Sequence, residues 1–299
     1  LGIMTISMIL FSMTGRKISL HDRLSMAEGL GENRLGGIVR LARGALIVTA
    51  AFELVGAILF SFQFIPDYGI ARGIWYSIFH SVSAFCNAGF DLLGGYRSMT
   101  IYRTNPYVLF VLMGLIVSGG LGFGVILNVH QARDFRRLRL HSKIVLVGTL
   151  FMILAGTLLF LWIEYENPKT IGNMSLFDKI INSLFQSVTL RTAGFNTIDQ
   201  LSMHDASKGI SILFMLVGAG PAGTAGGLKI TTVFTLFLAA RAYLRGQFET
   251  VIFGRTIPVE QVRRALTITL LGGIFLLVMA TMLSFSEQDM LAGSLGMLN

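Results

Sequence analysis

Two short stretches of this chain are built alike: Phe79-His80-Ser81-Val82-Ser83-Ala84-Phe85-Cys86-Asn87-Ala88-Gly89-Phe90 and Phe185-Gln186-Ser187-Val188-Thr189-Leu190-Arg191-Thr192-Ala193-Gly194-Phe195. They align with a single one-residue gap, and each runs from an apolar segment into small residues that end in Ala-Gly-Phe. Each is long enough for a helix but shorter than the roughly 20 residues needed to cross a hydrocarbon core of ~30 Å. A helix that enters a membrane without reaching the far side must turn back. The pair therefore restricts the fold to one built on re-entrant pore loops.

The membrane setting follows from composition. Hydrophobic residues make up 53% of the 299 residues and charged residues 13%, against roughly 25% charge in ordinary soluble domains. The one cysteine, Cys86, excludes an internal disulfide framework, and no cysteine and histidine set has zinc-ligand spacing. A formal charge of +8 invites nucleic acid as a partner, but the basic residues are not spread as such a surface requires. They cluster in three connections: Arg16, Lys17, Arg23, Arg34, Arg40 and Arg43; Arg133, Arg136, Arg137, Arg139 and Lys143; and Arg241, Arg245, Arg255, Arg263 and Arg264. The alternate connections carry Asp67, Asp91, Glu164, Glu166, Asp178, Asp199, Asp205, Glu287 and Asp289. Positive charge on every other connection orients a multi-pass protein with those segments in the cytoplasm. That one-sided charge accounts for the excess, and no nucleic-acid partner is expected.

Apolar runs place spans at residues 44–65, 105–129, 144–163, 208–239 (with an interruption) and 266–285. Ile74–Cys86 lies between the first pair and Phe177–Arg191 between the second, both on the outer side. The expected fold is an all-α membrane protein of repeated units, each a span, a re-entrant pore helix, a loop and a returning span. Gly119-Gly120-Leu121-Gly122 corresponds to Gly226-Gly227-Leu228-Lys229 in the two returning spans, and Leu1-Gly2-Ile3 matches Leu121-Gly122-Phe123. The expected division is 1–43 (end of an earlier unit's returning helix plus a cytoplasmic linker), 44–143 and 144–265 (two complete pore units), and 266–299 (an outgoing helix of a further unit).

Non-helical backbone at membrane depth is tolerated where it is buried or lines a wet cavity, and its carbonyls can replace a cation's hydration shell. Gly89 and Gly194 are expected at φ > 0, so that each loop can aim successive carbonyls at one axis. Each pore helix also points the negative end of its dipole, about half an elementary charge, at its loop. The candidate ion filter is Asn87, Ala88, Gly89 and Phe90 with Thr192, Ala193, Gly194 and Phe195. Asn87 and Thr192 are expected to orient or line it, and Phe90 and Phe195 to pack behind it.

The stretch Gly218-Ala219-Gly220-Pro221-Ala222-Gly223-Thr224-Ala225-Gly226-Gly227-Leu228-Lys229 interrupts a span. It contains Gly-x-Gly-x-x-Gly, but a dinucleotide site needs a strand before it and an acid about 20 positions on. Ala239-Ala240-Arg241-Ala242-Tyr243-Leu244-Arg245 supplies no acid, and Leu228 stands where a phosphate loop needs glycine. Pro221 and five glycines instead break the helix directly cytoplasmic of the presumed filter. Gly218, Gly220, Pro221, Gly223, Thr224, Ala225, Gly226, Gly227 and Lys229 are the candidate gating loop.

Asn-Ala-Gly-Phe at 87–90, Arg-Thr-Ala-Gly-Phe-Asn-Thr at 191–197 and Thr-Ala-Gly-Gly-Leu-Lys at 224–229 together resemble the TrkH/KtrB/HKT potassium transporters, the bacterial KtrB membrane subunits most of all. The resemblance covers essentially the whole chain. It implies four span-loop-span units around one pore, with Gly89 and Gly194 as filter glycines and residues 218–229 as an intramembrane gate. Ala219, Gly220, Ala222, Leu228 and Ile230 replace the family's usual loop residues with other small or apolar ones. The resemblance also implies K+ as the ion, with sodium a second candidate, and no covalently bound cofactor. It implies a homodimer in a bacterial plasma membrane, seated on cytoplasmic nucleotide-binding regulatory subunits of the KtrA/TrkA type. On this reading the first and fourth pore loops lie outside the chain.

Two charges stand at membrane depth. Glu53 lies midway along a span, with Lys229 as its expected partner by depth and a possible place in the pathway or gate. Arg191 adjoins a cation filter and is expected to point away from the axis and anchor the loop. No catalytic chemistry is expected. The competing readings are a broken-helix secondary transporter with alternating access and a two-loop channel subunit that dimerises to complete one pore. The first calls for inverted repeats, whereas these run the same way.

Overall fold

The computed structural model describes residues 38–247, 249–252 and 255–286. The Leu1-Gly2-Ile3 match, the basic residues Arg16, Lys17, Arg23 and Arg34 and the acids Glu287 and Asp289 lie outside the described residues. The helices are α1 (Ile38–Tyr68), α2 (Ile70–Phe85), α3 (Pro106–Leu121), α4 (Phe123–Ala132), α5 (Leu140–Glu164), α6 (Leu176–Thr189), α7 (Asp205–Leu216), α8 (Ile230–Leu244) and α9 (Val259–Ser286). A short antiparallel hairpin, β1 (Thr250–Ile252) with β2 (Arg255–Ile257), separates α8 from α9. The hairpin is an addition to the all-α expectation and lies in the connection read as cytoplasmic. The chain divides into two compact units, one running through Thr231 and the other from Thr232.

Gly44–Tyr68, Leu140–Glu164 and Val259–Leu283 are long and apolar enough to cross a membrane. They correspond to the outgoing spans expected at 44–65, 144–163 and 266–285, the last starting earlier than its apolar run. The span expected at 105–129 is not one helix: α3 and α4 meet at 95°. Gly122 makes the corner at φ 89°, and a methyl group there would strike the Pro221 carbonyl. The returning segment of the other unit is broken too, with α7 ending at Leu216 and α8 beginning at Ile230. The re-entrant helix placed at Ile74 begins at Ile70, because Gly69 alone joins it to α1.

Local signals explain the helix starts. Asn105 caps α3, its side chain accepting the Val108 N–H, with Pro106 in the first turn. Ser175 caps α6 by accepting the Asp178 N–H at 3.2 Å and donating to the Asp178 carboxylate at 2.7 Å.

The core of the first unit fills the space between the two pore helices. Phe60, Phe64 and Phe85 join Leu109, Leu112 and Ile116 of α3 and Phe185, Val188 and Phe195 of the second repeat in one buried cluster. Each outgoing span meets its pore helix at a glycine: methyl groups on Gly56 and Gly156 would strike the hydroxyls of Ser81 and Ser187. Those hydroxyls donate to span carbonyls, Ser81 to Glu53 at 2.6 Å and Ser187 to Ile153 at 2.9 Å.

Candidate functional site: paired pore loops and a clasped glycine loop

The sequence repeat recurs as a repeat of bonds. The hydroxyl of Ser83 donates to the Phe90 carbonyl at 2.7 Å, and that of Thr189 to the Phe195 carbonyl at 2.6 Å. Ala88 N–H returns to the Ser83 carbonyl and Ala193 N–H to the Thr189 carbonyl, both at 2.9 Å. Each loop is thereby closed onto the last turn of its own pore helix, where carbonyls lack helical partners. At matching positions His80 accepts the Leu92 N–H at 3.4 Å, and Gln186 exchanges amide bonds with Gln200 at 2.9 and 3.1 Å. Both side chains hold the chain that follows the loop against the helix that precedes it.

Gly89 and Gly194 have positive φ, 73° and 84°. So do Asn87 at 50° and Thr192 at 63°, which the sequence reading did not anticipate. The two glycines face one another: a Cβ on Gly89 would lie 2.7 Å from Gly194 Cα, and one on Gly194 would lie 3.1 Å from Gly89 Cα. The backbones approach so closely that a side chain on Gly89 has no place to go.

The flanking residues differ. Phe195 is fully buried, as expected of a residue packed behind the loop, whereas Phe90 is 69% exposed and does not pack as expected. Ala193 is buried and Ala88 exposed. Asn87 is buried, with neither side-chain atom hydrogen-bonded. Arg191 is buried and turned into the protein, donating from Nη2 to the Thr149 carbonyl of α5 at 2.8 Å. That bond ties the loop to α5, the anchoring expected of Arg191.

Residues 217–229 form a compact loop against both pore loops. Val217 and Leu228 pair as a parallel bridge, with Gly218 N–H on the Leu228 carbonyl at 2.9 Å and Leu228 N–H on the Leu216 carbonyl at 3.0 Å. The loop crosses the α3–α4 corner, where Gly220 N–H donates to the Gly120 carbonyl at 2.8 Å and Thr224 N–H to the Gly119 carbonyl at 3.1 Å. It reaches the first pore helix through Thr224 Oγ1, which donates to the Phe85 carbonyl at 2.9 Å. The loop of the second repeat is reached through Gly226 N–H, which donates to Thr192 Oγ1 at 2.8 Å. Methyl groups on Gly218, Gly220 or Gly223 would strike neighbouring backbone. Pro221, Ala222, Gly223 and Thr224 are half-buried, Ala225 is buried, and Gly226 and Gly227 are exposed.

The expected pairing of Glu53 with Lys229 is not found. Glu53 Oε1 accepts from Cys86 Sγ at 3.7 Å, and Lys229 Nζ donates to the Ala225 carbonyl at 2.8 Å. Depth along the membrane was a poor guide here, because Glu53 belongs to the α1 side of the first pore loop and Lys229 caps its own loop.

Two equivalent loops thus meet at glycine, and the break in the returning segment of the second unit is bonded to both repeats. The family profile of the TrkH cation transport proteins matches residues 1–292 of the chain. The chain belongs to the TrkH family. It is 38% identical to the Ktr system potassium uptake protein B of Bacillus subtilis, over 96% of this chain and 64% of that protein. It is also 38% identical to the potassium/sodium uptake protein NtpJ of Enterococcus hirae, over 96% of this chain and 63% of that one. The crystal structure of the potassium transporter TrkH from Vibrio parahaemolyticus matches with a TM-score of 0.62 at 18% identity, covering 81% of this chain and 51% of the other. That likeness shows the all-α membrane fold. The chain thus spans just under two thirds of the length of these two curated TrkH-family relatives.

Proposed function

We propose that this chain contributes the ion path of the potassium-translocating subunit of a bacterial K+ uptake system. The observation that carries the reading is the meeting of Gly89 and Gly194 at the tips of two equivalent loops. Loops of this kind suit an ion with a diffuse shell, because they offer carbonyl oxygens and the negative ends of two helix dipoles without a carboxylate. Asn87, Ala88, Gly89, Phe90, Thr192, Ala193, Gly194 and Phe195 line the filter on this reading. Residues 218–229 are the gate. The relatives are named for potassium, and in one case for sodium as well. K+ is the transported ion on this reading, and sodium is the competitor to test.

The same reading supplies the setting: a plasma membrane with the basic connections in the cytoplasm, two copies of the subunit, and a nucleotide-binding regulatory partner of the KtrA/TrkA type on the cytoplasmic side. The division of the chain at 44–143 and 144–265 into two pore units is part of the proposal, supported by the paired hydroxyl and glycine contacts of the two repeats. The test is rubidium uptake by the full-length protein in cells deficient in potassium uptake. Gly194→Asp, which sets a carboxylate where Gly89 lies, is expected to abolish uptake while the protein still reaches the membrane. Uptake at the wild-type level would refute the filter assignment.

A further inference from the structure

We propose that two threonine hydroxyls, those of Thr192 and Thr224, clasp the glycine-rich loop to the pore loops and set how readily it opens. This rests on the reading of residues 218–229 as the gate. Thr192 sits at φ 63°, a left-handed conformation that β-branched residues avoid. The equivalent place in the other loop is held by Asn87 at φ 50°, a residue type that enters this region readily. For the backbone alone, threonine is the poorer choice. Strain retained at such a place points to a task for the side chain, and the task is visible: Oγ1 accepts the Gly226 N–H at 2.8 Å.

The second hydroxyl works in the opposite direction. Thr224 belongs to the gating loop, and its Oγ1 donates to the Phe85 carbonyl at 2.9 Å, in the last turn of α2, where helical carbonyls lack partners. One hydroxyl is carried by the filter and holds the loop; the other is carried by the loop and holds the pore helix. The loop's bonds to Gly119 and Gly120 run backbone to backbone. The two threonine bonds depend on side chains. When the loop leaves the ion path, the filter loop at Thr192 and the pore helix at Phe85 each lose a partner, so gate position and filter shape are linked through these two contacts.

The test uses full-length protein in liposomes, with basal rubidium flux as the readout. Thr192→Val and Thr224→Val keep the shape and remove the hydroxyl, and each is expected to raise basal flux about two- to tenfold, the shift produced when a closed state loses one hydrogen bond of ordinary net strength. Thr192→Ser and Thr224→Ser restore the hydroxyl and are expected to bring basal flux back down from the level of the matching valine variant. Hydrogen exchange at the Gly226 amide is expected to quicken in Thr192→Val and not in Thr192→Ser. Unchanged flux in both valine variants, or serine variants that behave like valine, overturns the clasp. Should Thr192→Val fail to accumulate, Thr224→Val decides alone, since it lies outside the filter. Wild-type protein that carries no rubidium refutes the transport reading, and Gly226 exchange then decides the clasp by itself.

Discussion

At Gly89 even a methyl group has nowhere to go, because the carbonyl of Ala193 and the Cα of Gly194 already occupy its place. Gly89→Ala is therefore expected to spread the two loops and abolish rubidium uptake, with membrane insertion intact on a fractionation blot. Arg191 has a different role. Its guanidinium bonds the α5 backbone at Thr149, and Arg191→Met, of similar length, removes that hydrogen bond from a charged donor, a loss of about 1.5–3 kcal/mol. A lower midpoint in detergent thermal unfolding would register it, with Arg191→Lys falling between. The positive φ of both glycines and the anchoring bond of Arg191 were legible in the sequence. The partner of Glu53 was not, because residues that match in depth can lie on different sides of a bundle. Nor were the left-handed Asn87 and Thr192, because no common residue type marks that position in the two loops.

Among the elements, the outgoing spans and pore helices are joined by a contact that the sequence carries openly once its place is known. Leu54, Gly56, Leu59 and Phe60 recur as Leu154, Gly156, Leu159 and Phe160. The pattern is easily passed over, since leucines and glycines are common in any apolar span; what distinguishes it is the serine each glycine faces. Gly56→Leu and Gly156→Leu are each expected to push a pore helix off its span, lowering both folded yield and uptake, while Gly114→Leu, where an added Cβ meets nothing within 4 Å, is expected to be tolerated. Size-exclusion profiles of the three variants separate the cases. The corner at Gly122 was hidden for another reason. Hydropathy measures transfer into an apolar phase and is blind to direction, so an apolar run that turns by 95° reads like one that goes straight through. The one available signal was the glycine cluster at 119–122, aligned with the glycines of a segment already known to be broken.

For the whole molecule, the basic connections set the expected orientation. Arg137, between α4 and α5, and Asn173, between α5 and α6, are both exposed and are separated by the span Leu140–Glu164. In a Cys86→Ser background, Asn173→Cys is expected to react with an impermeant thiol reagent in intact cells and Arg137→Cys only after permeabilisation. The reverse pattern would invert the proposed topology. Fold class was readable at this scale because two signals of independent origin, the loop repeat and the alternation of charge, demand the same arrangement. The repeat also records how the chain diverged. Ser83 and Thr189 perform one task with different side chains, whereas His80 and Gln186, at matching positions, bond different partners, the Leu92 N–H and the Gln200 amide. If both units descend from one duplicated segment, what persisted at positions 83 and 189 is a hydroxyl at one place carried by two different residues, so the two repeats are better aligned by the bonds a position makes than by the letter it bears.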